Sequence, residues 1–340
     1  MDEIQIVILP GPPYPLDTAE RIRAIDPRLR VYGLTREERA AWRRRTDESD
    51  PEVRALSAAL RRAEIVVAGF ETPPELPELA PQMRWLHTPF AGVERLFELG
   101  LIGRGYLVTN GSGPAAKPIA EWVMMMLLMF AKRQPEHFRN QLARAWRRQE
   151  GFELTGKTLG IVGLGAIGQE AARLARAFGM RVIGIRRSAT APRENSDNAD
   201  LVLPPAELPR LLAESDFVLL SAPATMETRA LIDAEALARM RPGSYLLNVA
   251  RGTLVDEAAL IAALESGHLA GAALDVFVHE PLPSDSPLWS LPNVIITPHD
   301  SPASQFFPQR VIDLFISNLR AYLAGEHTRM ANIVTPERGY

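Results

Sequence analysis

Residues 159–188 constrain the fold of this chain more than any other stretch. They run Leu-Gly-Ile-Val-Gly-Leu-Gly-Ala-Ile-Gly-Gln-Glu, then a helical segment, then Arg-Val-Ile-Gly-Ile-Arg-Arg-Ser. Gly163, Gly165 and Gly168 form a G-x-G-x-x-G that follows an apolar strand (159–162), encloses Ala166 and Ile167, and opens a helix over 166–178. Gly179 stops that helix, and a second strand follows at Arg181–Ile185. The strand–turn–helix–strand context turns a weak glycine pattern into a dinucleotide-binding fingerprint. In such a unit the first glycine makes the tight turn, the second lets a pyrophosphate approach, and the third lets helix and strand pack closely. The phosphates rest on the helix N-terminus, where unpaired N–H groups and the dipole favour negative charge.

The rest of the chain repeats the alternation of strand and helix. Apolar runs at 4–9, 29–32, 64–68, 83–87 and 106–109 read as strands, the first ended by Pro10-Gly11-Pro12-Pro13, with a helix over 53–62. After the glycine-rich crossing Asn110-Gly111-Ser112-Gly113-Pro114 comes a helix over 118–131, apolar on all sides and so expected to be buried on several. A basic amphipathic helix is expected over 139–148 and reads as a solvated face. Strands then fall at 159–162, 181–185, 201–202, 217–221, 245–249, 272–276 and 294–297, and a last helix at 308–323 precedes a polar, irregular tail at 332–340. Such alternation predicts α/β architecture with two doubly wound parallel-sheet domains. A length of 340 residues is enough for both cores.

Composition excludes several classes of function. There are no cysteines, hence no disulfides, thiolate metal sites or Cys nucleophile. A net charge of −3 argues against a nucleic-acid or anionic-membrane surface. The longest apolar run, 122–131, is far short of the roughly 20 residues that span a bilayer. Met-Asp-Glu-Ile-Gln at the start carries no basic n-region, so no signal peptide is expected there and the protein is expected to be cytoplasmic. His87, His137, His268, His279 and His327 lack any spacing that suggests a metal site, and no metal is expected.

Three strand ends carry groups of catalytic type. Arg251 ends Leu-Leu-Asn-Val-Ala-Arg-Gly, Glu280 follows Leu-Asp-Val-Phe-Val-His, and His299 ends Val-Ile-Ile-Thr-Pro-His. In doubly wound sheets ligands bind beyond the carboxyl ends of the strands, so the three are expected at one crevice.

Together with Lys-Pro-Ile-Ala-Glu (117–121), Asn-Val-Ala-Arg-Gly (248–252), Leu-Asp-Val-Phe (274–277), Glu280-Pro281-Leu282 and Thr-Pro-His (297–299), the chain resembles the D-isomer-specific 2-hydroxyacid dehydrogenases, within the formate/glycerate dehydrogenase group. The resemblance covers nearly the whole length. It implies a flavodoxin-like substrate domain (1–110 plus 301–340) and a Rossmann cofactor domain (111–300) that includes the 118–131 helix, with the active site in the cleft between them. It implies that Arg251, Glu280 and His299 are the catalytic set, and that Ala91 and Gly92 bind the substrate carboxylate through backbone N–H groups. It assigns Pro223 and Thr228 to the adenine side of the cofactor, Val249 and Ala250 to the nicotinamide ribose, and Asp275 to the carboxamide. A homodimer through the 118–131 region is implied as well.

The chemistry agrees with these roles. Reduction of a 2-oxo acid needs a hydride, a proton for the growing alkoxide and a grip on the carboxylate. An imidazole, with an ordinary pKa of about 6.5, exchanges protons in either direction near neutrality. A carboxylate beside it fixes its orientation. An arginine fork suits a carboxylate and the adjacent carbonyl oxygen.

An NAD-preferring unit ends its second strand with Asp or Glu for the ribose 2′-OH. Here Arg186, Arg187 and Ser188 occupy that place, with no carboxylate in the run to repel a 2′-phosphate. NADP(H) is therefore the expected cofactor, with NAD(H) possible. Glu280 argues against a formate dehydrogenase, and a chain ending at Tyr340 argues against phosphoglycerate dehydrogenases with regulatory extensions. A glyoxylate/hydroxypyruvate-type reductase of small 2-oxo acids fits best. The competing reading is a cofactor-sensing, corepressor-like interaction protein on the same fold. The chain departs from the family after His299, where an apolar residue and glycines usually follow and Asp300-Ser301-Pro302-Ala303-Ser304 stands here.

Overall fold

A computed structural model describes residues 3–11, 14–47 and 49–336. Pro12 and Pro13 of the loop after the first strand, residues 1–2 at the start and the last four residues of the tail lie outside the described residues. The chain divides into two compact units, Met1–Pro114 with Gln305–Tyr340, and Ala115–Ser304. These boundaries lie four residues beyond the expected 110/111 and 300/301.

The first unit is a five-stranded parallel sheet built from β1 (Ile4–Ile8), β2 (Leu29–Tyr32), β3 (Ala63–Val67), β4 (Trp85–His87) and β5 (Leu107–Thr109). Its strand order, β2-β1-β3-β4-β5, is that of flavodoxin-like folds. Parallel strands covered on both faces read as unbroken apolar runs, and β1 and β3 are buried almost throughout. The helix Phe307–Leu323 returns to this unit and closes one face, with Phe315 stacked 5.3 Å from Trp85.

The second unit is an eight-stranded sheet. Its strands are β6 (Thr158–Val162), β7 (Arg181–Ile185), β8 (Arg193–Ser196), β9 (Ala199–Leu203), β10 (Phe217–Leu220), β11 (Ser244–Asn248), β12 (Leu269–Leu274) and β13 (Val294–Ile296). The order β13-β12-β11-β10-β6-β7-β9-β8 reverses direction between β6 and β10, the switch point at which Rossmann folds bind ligands. The helix Ala116–Ala131 packs against the helix Ala166–Ala177 and belongs to the same core as β6 and β11. Its Trp122, Val123, Met126, Leu127 and Phe130 are buried.

Two local expectations need correction. The basic helix expected over 139–148 instead spans Gln134–Leu142. Pro135 in its first turn sets the start, and at its end Arg144 turns left-handed (φ 52°) while the Ala145 amide bonds back to the Asn140 carbonyl. The second sheet is also not wholly parallel, because β8 pairs antiparallel with β9 at its edge. That hairpin has no apolar alternation to announce it.

Candidate active site

The glycine turn follows β6 at the switch point. Gly163 has φ +102°, and a Cβ there would lie 2.5 Å from the Ala222 nitrogen, so no other residue fits. A Cβ on Gly168 would lie 2.4 Å from the Gly163 carbonyl oxygen, the close packing expected of the third glycine. Gly165 differs from both. Its φ is −87°, and among the described residues no atom beyond its chain neighbours and its own helix comes within 4 Å of where its Cβ would be. Neither backbone strain nor internal packing demands a glycine there, which leaves the approach of a ligand as the physical reason. Gly165 also provides no side-chain cap to the helix Ala166–Ala177, so the N-cap residue leaves the first-turn amides of Ala166 and Ile167 unoccupied by a side chain of its own. These residues fit a dinucleotide pyrophosphate.

The other assigned cofactor residues sit beyond neighbouring strand ends. Arg186, Arg187 and Ser188 directly follow β7, and the Arg186 amide donates to the Leu203 carbonyl of β9. Sequence reading found no carboxylate beside Arg186. The structure places one there: Asp197, at the tip of the β8–β9 hairpin, forms a close ion pair with Arg186 Nη1. In the loop after β10, the Thr228 hydroxyl donates to the Pro223 carbonyl (2.8 Å) and accepts from the Thr225 amide (2.8 Å), so its visible work is to shape that loop. Val249 and Ala250 follow β11 and are nearly buried.

Arg251, Glu280 and His299 emerge after β11, β12 and β13, three adjacent strands. His299 Nδ1 lies 2.7 Å from Glu280 Oε2, and Glu280 Oε1 accepts from the Phe277 amide at 2.9 Å. An ionised carboxylate only accepts, so Nδ1 carries the hydrogen and Nε2 is left to exchange a proton. The two side chains remain accessible, at 43% for His299 and 36% for Glu280. Arg251 Nη1 donates to the Ala250 carbonyl at 2.7 Å. Its turn is fastened by Asn248, whose amide donates to the Arg251 carbonyl (3.0 Å) and whose oxygen accepts from the Ala250 amide (3.0 Å).

His299 itself adopts a left-handed backbone, φ 54°, which is uncommon for a residue with a side chain. Asp275 holds it there. Only 1% exposed, Asp275 accepts through Oδ1 from the Thr297 hydroxyl (2.5 Å) and the Asp300 amide (3.0 Å), and through Oδ2 from the Ser301 amide (3.1 Å). Its carboxylate thus grips both sides of His299. Sequence reading assigned Asp275 to the cofactor and missed this bracing. It also missed Asn248 and Gly252. A Cβ on Gly252 would fall 1.9 Å from the Phe277 carbonyl carbon, so the Arg251 turn is seated directly on the start of the Glu280 loop. Both residues lay within recognised motifs, and only tertiary contact reveals their work. Ala91 and Gly92, in the other unit, follow β4 in a loop held by the Asn110 side chain, which donates to the Ala91 carbonyl at 2.9 Å.

Residues 124–301 match the model for the D-isomer specific 2-hydroxyacid dehydrogenase NAD binding domain. A glyoxylate reductase of Korarchaeum cryptofilum is 34% identical over 82% of this chain and 86% of its own length. One from Pyrococcus furiosus is 36% identical over 74% of this chain and 76% of its own. Among solved structures, a D-isomer specific 2-hydroxyacid dehydrogenase from Xanthobacter autotrophicus Py2, in complex with NADPH and MES, superposes with a TM-score of 0.80 at 31% identity, covering 99% of this chain and 100% of that one. An NADPH-dependent glyoxylate/hydroxypyruvate reductase of Sinorhizobium meliloti, in complex with NADP and sulfate, gives a TM-score of 0.76 at 26% identity, covering 99% and 100%. The chain belongs to the D-isomer specific 2-hydroxyacid dehydrogenase family. It is an NAD(P)-dependent oxidoreductase of 2-hydroxy acids. Among the described residues, no helix is long and apolar enough to cross a membrane.

Proposed function

We propose that the protein reduces a small 2-oxo acid of the glyoxylate/hydroxypyruvate type to the D-2-hydroxy acid, with NADPH as the preferred reductant. The observation that carries this reading is the His299–Glu280 pair beside Arg251 on three adjacent strand ends. A bound nicotinamide supplies the hydride. His299 Nε2 gives its proton to the alkoxide oxygen as that charge develops, and takes it back in the oxidative direction. Glu280 holds the ring in the productive tautomer and stabilises the imidazolium. Arg251 binds the carboxylate and the carbonyl oxygen through its fork, and gains strength as negative charge grows on that oxygen. Amides of Ala91 and Gly92 bind the substrate carboxylate. Gly163, Gly165, Ala166, Ile167 and Gly168 take the pyrophosphate, Pro223 and Thr228 the adenine side, and Val249 and Ala250 the nicotinamide ribose. A carboxamide contact from Asp275 completes this set.

NADPH preference rests on Arg186, Arg187 and Ser188 after β7, with NADH as the weaker alternative. The partners are small molecules in the cytoplasm rather than nucleic acid or membrane. The protein is read as a homodimer through the helix Ala116–Ala131, on which Met125 is 46% exposed in the single chain. Light scattering after size exclusion tests that point, with a mass near twice 37.6 kDa expected and a monomer contradicting it.

A panel of 2-oxo acids assayed with NADPH and with NADH tests the central reading. Turnover of glyoxylate or hydroxypyruvate with higher kcat/KM for NADPH is expected. Tight NADPH binding with no turnover on any 2-oxo acid would favour a cofactor sensor instead.

A further inference from the structure

We infer that Asp197 limits the preference for NADPH by competing with the cofactor's 2′-phosphate for Arg186. The inference rests on the NADPH reading above and concerns the adenine end of the site, remote in sequence from Arg251, Glu280 and His299.

Arg186 is the first residue after β7, the place where NAD-preferring units carry a carboxylate for the ribose hydroxyls. In this chain a carboxylate reaches the same guanidinium by another route. Ser196 pairs with Ala199 across the β8–β9 hairpin, so Asp197 and Asn198 form a two-residue turn. Both lie in the left-handed region, at φ 54° and 63°, the geometry of a type I′ hairpin. The turn folds the Asp197 side chain back onto Arg186, whose Nη1 donates to Oδ1. The second oxygen, Oδ2, accepts from Arg193 Nη2 and from the Ser196 hydroxyl, each at 3.4 Å. Asp197 is the more sheltered partner, at 20% exposure against 38% for Arg186.

A ribose phosphate carries between one and two negative charges near neutrality and is bound best by an undivided arginine fork. Arg186 therefore meets it by leaving Asp197 or by sharing its donors with it. In the first case Asp197 keeps Arg193 and Ser196, so the exchange strands no carboxylate, but the pair energy is lost. In the second a carboxylate stands beside the phosphate and repels it. Both cases weaken NADPH. NADH presents a hydroxyl at that position, which is not repelled and can donate to a carboxylate. Asp197 thus narrows the gap between the two cofactors.

Calorimetric binding of NADPH and NADH to the whole protein, with no 2-oxo acid present, tests this. Asp197→Asn removes the charge, keeps the side-chain shape and tolerates the left-handed backbone. It should tighten NADPH on the order of three- to tenfold, the Coulomb effect of one carboxylate on a phosphate several ångströms away in a solvated site. NADH binding should stay level or weaken, the gain should shrink as KCl rises, and Arg186→Gln in the Asp197→Asn background should abolish it. Equal or weaker NADPH binding by Asp197→Asn would overturn the inference, as would a gain that survives the loss of Arg186. The NADPH reading is judged separately by the unmodified protein. If that protein binds NADH at least as tightly as NADPH, the reading fails, and the NADPH ratio of Asp197→Asn to the parent still decides the role of Asp197.

Discussion

Glu280 joins His299 to its own loop: one carboxylate oxygen lies 2.7 Å from His299 Nδ1, and the other accepts from the Phe277 amide at 2.9 Å. The carboxylate is oriented before it orients the imidazole. Glu280→Gln keeps an acceptor for Phe277 but offers an amide that can donate to Nδ1 and stabilise the wrong tautomer. By analogy with triad carboxylates, kcat should fall on the order of 10²- to 10⁴-fold. Cofactor affinity should hold. Steady-state kinetics alongside a fluorescence titration with NADPH separate the two effects, and a kcat within a factor of two of the parent would remove Glu280 from the chemistry.

In the proposed reaction Arg251 grips two oxygens at once. Arg251→Lys keeps the charge and loses the fork, so KM for the 2-oxo acid should rise and kcat should fall, with only partial rescue relative to Arg251→Ala. Full activity in the lysine variant would show that a point charge is enough.

The two glycines of the turn predict opposite failures. Gly163→Ala places a Cβ at φ +102° and 2.5 Å from a backbone nitrogen, so it should lower Tm by several degrees. Gly165→Ala enters open space and should leave Tm unchanged while weakening NADPH binding on the order of tenfold or more. Thermal melts and NADPH titrations on both variants check the contrast. Unchanged binding in Gly165→Ala would remove the pyrophosphate from that place.

Asp275 spends its carboxylate on Thr297, Asp300 and Ser301, and thereby holds His299 in a left-handed backbone. Asp275→Asn puts an NH2 where one oxygen accepts from the Ser301 amide, donor against donor, and leaves a single oxygen with two lone pairs for three donors; a buried donor left unsatisfied costs about 1–3 kcal/mol. A lower Tm together with a lower kcat is expected. A variant with parent-like Tm and kcat would contradict the bracing role.

His87 is fully buried at the end of β4, where it shares a 2.8 Å hydrogen bond with the Thr109 hydroxyl, and burial pushes its pKa down to about 3. The unfolded chain regains a pKa of about 6.5 and binds a proton that the folded chain refuses. Stability is therefore whole above pH 6.5 and declines as the pH falls toward 3, by about 2 kcal/mol at pH 5. Urea unfolding at pH 7.5 and 5.0 measures the slope for the first unit, and His87→Leu should flatten it. An equal slope in that variant would assign the dependence to other groups.

Much of the architecture was legible because parallel strands are long apolar runs and the glycine turn has a fixed strand–turn–helix setting. The β6–helix–β7 unit and the three strand ends that carry Arg251, Glu280 and His299 were readable in this way. The β8–β9 hairpin was not: Arg-Glu-Asn-Ser at an exposed sheet edge buries nothing and shows no alternation. The run Asn195-Ser196-Asp197-Asn198 was the local signal of a turn there. Missing that hairpin hid the carboxylate beside Arg186. The bracing role of Asp275, and Asn248 and Gly252 altogether, escaped for a different reason. Their work is done against residues far along the chain or against backbone, and residue type alone does not reveal a brace.

The most direct test of His299 as the proton donor is His299→Ala, assayed for NADPH-dependent reduction of glyoxylate and hydroxypyruvate, with NADPH binding measured on the same preparation. A kcat lower on the order of 10²- to 10⁴-fold is expected, with NADPH affinity within about twofold of the parent. Turnover equal to the parent would contradict that role.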